Sequence, residues 1–187
     1  MKDIELKLIS ELMKNSRRSD RELAKTIHVS QPTVSRMIKK LEKNGVIEEY
    51  TMIPNFSKLG FNILTLVFTK MKKELTQDLI RKVRERVRED EKENPSSVLM
   101  ALGGLGIDSD RVLVLLSEDF STYSKYLSMV KEYPLIEIES IKSFMIDLAD
   151  RRHFRPLTFS SLAKYLEKKA RTNLHQGSQS KDFRGTR

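Results

Sequence analysis

The chain has 187 residues, 39% of them hydrophobic and 33% charged, with a formal net charge of +9 and no cysteine. That length holds one domain or two small ones with enough core to fold unaided, and the missing thiols exclude disulfides, cysteine nucleophiles and cysteine-based metal sites. No apolar run approaches the roughly 20 residues that span a bilayer, and the charged, periodic N-terminus is unlike a signal peptide, so a cytoplasmic protein with no membrane partner is expected.

The charge is unevenly divided. Residues 1–60 carry 12 Lys and Arg against 8 Asp and Glu, residues 61–149 carry 13 against 15, and residues 150–187 carry 10 against 3. Positive charge therefore sits at the two ends, as in a chain that meets a polyanion, and the middle needs a different partner.

From Asp3 to about Met13, Ile4, Leu8, Ile9 and Leu12 recur at helical spacing on one face. Asn15-Ser16 breaks the pattern, and Ser19 with Glu22 forms the S-x-x-E start of a second helix that turns Leu23, Ala24 and Ile27 inward. Ser30 caps a third helix with Pro32 in its first turn, and Gly45 is its expected left-handed terminator. Only His28-Val29 joins the second and third helices, which makes a helix-turn-helix; His28 is expected to take the left-handed turn position, where glycine is more usual.

The third helix has a seam of Val34, Met37, Ile38 and Leu41, and Arg36, Lys39 and Lys43 point away from it with Thr33, Ser35 and Lys40 on the flanks. Its only acid is Glu42. A positive outer face on the second helix of this motif suits the major groove of double-stranded DNA. Gln31, Thr33, Ser35 and Arg36 lie near the helix start, where base edges would be read. Lys39, Lys40 and Lys43, with Arg17 and Arg18 ahead of the second helix, suit phosphates. Val46–Pro54 then reads as an extended segment, either a short wing or a linker strand.

The stretch ELAKTIHVSQPTVSRMIKKLEKNGVIEEYTMIPNFSKLG is similar to the DNA-binding half of the Lrp/AsnC transcription regulators. The features that carry the resemblance are Arg17, Glu22-Leu23-Ala24, Ser30, Thr33-Val34, Arg36, Leu41-Glu42, Gly45-Val46-Ile47, Tyr50 and Leu59-Gly60, all within the first 60 residues. The resemblance implies a following βαββαβ ferredoxin-like domain that binds an effector and oligomerises, with a Gly-x-x-Asp-like element in its β2–β3 turn near an effector pocket.

The middle of the chain gives the same order on its own pattern. Strands are expected at 61–71, 97–102, 111–117 and 135–148, with helices at 75–93, closed by Asn94-Pro95, and at 120–133, opened by Asp119 and stopped by Pro134. This is the split β-α-β order of the ferredoxin-like fold. The glycine-rich stretch 103–110 reads as the turn between the second and third strands. It is either a hairpin turn that needs positive φ or an effector site in which Gly103, Gly104 and Gly106 let the backbone approach an amino acid that Asp108 and Asp110 help to hold. It is not a phosphate loop, because the G-K-[ST] ending is absent.

The expected organisation is α+β: a helix-turn-helix, winged-helix-like domain over 1–54, a linker over 55–60, a ferredoxin-like domain over 61–149, and a basic extension over 150–187. In the extension, Leu162, Tyr165, Leu166 and Lys169 give helical spacing within 158–171, and disorder is expected beyond. No catalytic set, metal cluster or cofactor motif is legible. The function expected is a DNA-binding transcription regulator acting as a homodimer or higher even oligomer, with an amino acid as a possible effector. The alternative is a sirohaem-decarboxylase-like enzyme, which shares the two-domain layout and for which His153 among arginines is the single hint.

Overall fold

The computed structural model describes the backbone of residues 1–93, 96–150, 152 and 157–179, and side chains as far as Thr172. In chain order the elements are α1 (Asp3–Lys14), α2 (Asp20–Ile27), α3 (Gln31–Lys43), a 3-10 turn (Phe56–Leu59), β1 (Ile63–Met71), α4 (Gln77–Glu93), β2 (Val98–Gly106), β3 (Ser109–Ser117), α5 (Phe120–Lys131), β4 (Ile138–Asp147) and α6 (Ser160–Gln179). They form two units, Met1–Ile53 with Phe154–Arg187, and Pro54–His153.

In the first unit the local signals act as expected. Ser19 and Glu22 close a reciprocal capping box, with the Ser19 N–H donating to the Glu22 carboxylate at 2.8 Å and the Glu22 N–H donating to Ser19 Oγ at 3.3 Å. His28 takes φ 59° and ψ 51°, the left-handed turn between α2 and α3, and Gly45 follows α3 at φ +65°. Ser30 is the N-cap of α3, but its hydroxyl bonds the Thr33 hydroxyl at 2.8 Å instead of a backbone amide. Leu8, Leu12, Leu23, Ala24, Ile27, Val34 and Leu41 make the core, with Met37 and Ile38 packed against it. The segment after Gly45 forms no strand before the 3-10 turn, so the wing that the sequence left open is not built.

The basic extension differs most from expectation. α6 runs to Gln179, past the Arg171 boundary, and belongs with the helix-turn-helix unit through its packing on α1. The buried residues are Ala163 and Ala170, while Leu162 and Tyr165 of the expected apolar seam are 48% and 63% exposed. The physical reason is closeness. The fully buried Ser10 Oγ donates to the carbonyl of Ala163 at 2.8 Å, a helix-to-backbone bond that only small residues at the crossing permit. Leu6 and Met13, off the α1 seam read from the sequence, lie on this second face. Lys14 bridges the two helices, donating to Glu11 at 2.6 Å and to Glu167 at 2.8 Å. The Lys14 ammonium holds the Glu167 carboxyl below the ordinary carboxylate range, and the two carboxylates raise Lys14 in turn.

In the second unit the four strands form an antiparallel sheet in the order β2-β3-β1-β4, the ferredoxin-like arrangement. Thr65, Val67 and Thr69 alternate inward along β1, and Val67 and Leu115 pack beneath Tyr123, Tyr126 and Leu127 of α5. Asp119 caps α5 by accepting the Thr122 N–H at 2.7 Å. The other face of the sheet carries Leu64, Leu66 and Phe68, opposite Leu116, Val114 and Val112 on one side and Ile146, Phe144 and Lys142 on the other.

The glycine-rich stretch 103–110 is built differently from the turn expected. Gly103, Gly104 and Gly106 belong to β2, which pairs with β3 out to Gly106 opposite Ser109 after an irregularity beyond Gly103. The turn proper is Ile107-Asp108, at φ 56° and 51°, the two positive φ values of a type I′ hairpin. Pairing to the strongly β-forming RVLVLLS strand carries the glycines into the ladder and moves the reversal forward. The expected end of α4 at Asn94-Pro95, the hint at His153 and the disorder expected over 180–187 lie outside the described residues.

Shortening the chain separates the two halves of α6. A chain ended after Thr172 keeps Ala163 and Ala170, the buried α6 positions among the described residues, and is expected to melt with wild type. One ended after Leu157 uncovers Leu6, Ser10 and Met13 and should lose about 2–4 kcal/mol from the first unit, read by thermal unfolding of the two variants side by side.

Candidate nucleic-acid interface

The expected DNA-facing residues divide once their partners are visible. Ser35 donates its hydroxyl to Asp20 at the start of α2. Lys40 Nζ donates to Glu5 at 2.7 Å, and the same carboxylate accepts the Lys2 N–H at 2.8 Å. Glu5 is buried and Lys40 lies half in solvent, so the pair ties α3 to α1. The Lys40 hydrogen bond, with the Lys2 amide behind it, draws the Glu5 carboxyl below its ordinary range. Arg18 is held by Glu11, itself buried in α1.

The remaining set faces outward. Gln31, Arg36, Lys39 and Lys43 are exposed on α3 with Thr33 half-buried beside them, and Arg17 is exposed between α1 and α2. Among the described residues Arg17, Lys39 and Lys43 have no carboxylate partner. Arg36 makes only an intrahelical bond, its Nε donating to the Pro32 carbonyl at 3.3 Å, which leaves the terminal guanidinium nitrogens free to act as donors. The helix-turn-helix thus presents a polar and basic edge at the start of α3 and a row of ammonium groups farther along. Tyr50, beyond the end of α3, donates to Glu42 at 3.0 Å and so occupies the helix's only acid; partial burial, with that carboxylate, pushes its hydroxyl up to about 12.

The residues expected around an effector are placed differently from one another. Asp108 stands at the hairpin tip with its carboxylate taken by Lys70 at 3.0 Å and Lys142 at 3.5 Å. Asp110 Oδ2 accepts the Met71 N–H at 2.9 Å. Gly104 and Gly106 have open space where a side chain would be, and a Cβ on Gly103 would come 3.7 Å from Arg111 Nη1. Arg111, not singled out from the sequence, is the residue this end of the sheet adds: its Nε and Asp110 Oδ1 are buried with no hydrogen-bond partner. The alternation of β3 places Arg111 on the helix-covered face beside Thr69, a signal that was legible in the strand pattern. An open concavity of about 500 Å³ in this unit lies elsewhere, between Leu127 and Lys131 of α5 and Ile138–Ile141 and Ser143 of β4.

Comparison with known proteins agrees with this geometry. A family model described as winged helix-turn-helix DNA-binding matches residues 1–48. The chain is 29% identical over 123 residues to the HTH-type transcriptional regulator LrpB of Bacillus subtilis, an alignment covering 66% of this chain and 83% of LrpB. It is 39% identical over 69 residues to the transcriptional regulator LrpC of the same organism, covering 37% of this chain and 48% of LrpC. The solved structure of LrpC superposes with a TM-score of 0.59 over 81% of this chain and 96% of its own, at 24% identity. The transcriptional regulator NMB0573 of Neisseria meningitidis, solved as an L-Met complex, shares the fold with a TM-score of 0.63 over 87% of this chain and 99% of its own, at 18% identity. These relatives are regulators and lend the sirohaem-decarboxylase alternative no support. A helix-turn-helix with an outward basic face and a four-stranded ferredoxin-like sheet, together with these relatives, make the chain similar to the Lrp/AsnC DNA-binding transcription regulators.

Proposed function

We propose that the chain works in the cytoplasm as a homodimer that holds two α3 helices in successive major grooves of an operator, and that an amino-acid-like effector tunes this binding. The observation that supports the DNA reading best is the sorting of basic side chains on α3. Lys40 is spent on Glu5, while among the described residues Arg36, Lys39 and Lys43 stay unpaired by carboxylates on the outer face. In this reading Gln31, Thr33 and Arg36 meet base edges, and Arg17, Lys39 and Lys43 meet phosphates. Ser35, Arg18 and Lys40 act from behind, fixing α2 and α3 through Asp20, Glu11 and Glu5.

The dimer rests on the sheet face opposite α5. Met100, Leu102 and Phe144 are 45%, 53% and 61% exposed there, beside the half-buried Leu64, Leu66 and Phe68. A contiguous apolar sheet face of this kind needs a cover, and a second copy offers one of matching twist. The effector reading rests on the hairpin end, where Gly103 leaves room beside the Arg111 guanidinium. A carboxylate would go to Arg111; Asp108, already bound by two lysines, holds the hairpin tip.

Three outcomes test these statements. Arg36→Ala should cost about 1–3 kcal/mol at one position of each half-site, Lys43→Ala should weaken all sequences alike, and Lys40→Ala should instead lower stability by about 1 kcal/mol with base preference intact. Binding to a randomised duplex library, read beside thermal unfolding, separates the three; identical behaviour would sink the division. Phe144→Glu should shift the protein to monomer in sedimentation. Calorimetry against the twenty amino acids should give heat with wild type and none after Arg111→Ala; silence with all twenty removes the effector.

A further inference from the structure

We propose that α6 is a second DNA-binding element, in which Lys164, Lys168 and Arg171 take phosphates outside the half-site read by α3. The inference rests on the DNA-binding reading of α3 and extends it to a helix that lies far beyond the matched helix-turn-helix segment.

The first observation is direction. Ser10 meets Ala163 and Lys14 meets Glu167, and both pairs are 153 residues apart in sequence. A constant offset means that α6 runs parallel to α1 and keeps register with it. Lys168 and Arg171 therefore lie one and four residues past the Lys14–Glu167 level, about 1.5 and 6 Å beyond the end of α1. α1 ends at Lys14, whereas α6 continues for 12 residues past Glu167. At 1.5 Å per residue this carries the helix about 18 Å beyond the end of α1.

The second observation is the facing of its charges. Around α6, Ala163 and Ala170 mark the buried side, and Glu167 leans from it toward Lys14. Lys164, Lys168 and Arg171 recur at i, i+4 and i+7, a single stripe on the flank where Glu167 lies. That flank belongs to Lys14, Glu11 and Arg18, a chain of ion pairs that ends at the start of α2. Lys169 falls on the opposite flank with Leu162.

The third observation is the lack of compensation. On α4, Arg81, Lys82 and Arg86 are neutralised by Asp78, Glu85 and Asp90 within the same helix, as in an ordinary solvated surface. α6 has one acid, Glu167; Lys14 bonds it and Arg171 lies in its field. Lys164 and Lys168 have no carboxylate partner among the described residues. A basic stripe whose neighbouring acid is bonded by Lys14, running past the end of α1, fits a polyanionic rod laid against that edge.

The test uses the full chain and a duplex that the wild type selects from a random library, long enough to extend about ten base pairs, one helical turn, beyond the half-sites. The variant K164Q/K168Q/R171Q keeps side-chain length on an exposed flank, so it should melt with wild type. The plot of log affinity against log salt should flatten by about 0.9 for each phosphate no longer neutralised, about 2–3 in all, with the ratio of specific to non-specific binding unchanged. K169Q on the other flank should leave the slope alone. An unchanged slope in the triple variant, while Arg36→Ala still loses base discrimination, overturns the role of α6 and leaves that of α3 standing. A slope flattened as much per charge by K169Q overturns the stripe in favour of diffuse charge. No salt-dependent binding by wild type overturns both.

Discussion

The first unit turns on one helix that has to be buried on two opposite sides. α1 gives Leu8 and Leu12 to the helix-turn-helix core and Ser10, with Leu6, to α6. A helix with one apolar stripe would leave either the DNA-reading pair or the C-terminal helix without a platform. The close approach at Ser10 and Ala163 is possible because neither residue is large, and the bond from Ser10 Oγ satisfies a hydroxyl that burial would otherwise penalise.

That same helix decides which basic groups remain outward. Glu5 and Glu11 are buried acids on α1, and each captures a cation from a different element, Lys40 from α3 and Arg18 from the loop before α2. A buried carboxylate without such a partner would be costly, so each pair fixes a neighbouring element as it forms. The cations left over, Arg17, Arg36, Lys39 and Lys43, have no carboxylate partner among the described residues. The outward basic set is in this sense defined by subtraction, and the acids inside the unit shape it as much as the bases outside.

The helix-turn-helix was legible because its signals are local. Ser19 with Glu22, His28, Pro32 and Gly45 each specify backbone geometry within a few residues, and the seam of α3 follows from period alone. The ferredoxin-like order was legible for the same reason, strand by strand. What escaped was set by packing at a distance. The sequence assigned Leu162 and Tyr165 to a seam because they are apolar, whereas α1 selected Ala163 and Ala170 because they are small. The glycines of β2 were placed in a turn on composition, whereas the ladder with β3 drew them into the sheet and left Ile107 and Asp108 to reverse the chain. Arg18, Ser35 and Lys40 were marked for DNA on charge and position, and only the partners supplied by α1 and α2 show them engaged internally.

The bond between Ser10 and Ala163 also has a place in time. Its two ends are 153 residues apart, with the whole ferredoxin-like unit threaded between them. On the ribosome, which emits about 5–20 residues per second, the three N-terminal helices emerge first and fold on local interactions. Their second face stays open until α6 is made. The intervening unit then shortens the search, because its own folding brings the ends of a long loop together before α6 docks. A chain broken off after the sheet would still carry α3 intact but leave Leu6 and Ser10 bare. The second face of α1 is therefore covered only once synthesis has passed the ferredoxin-like unit.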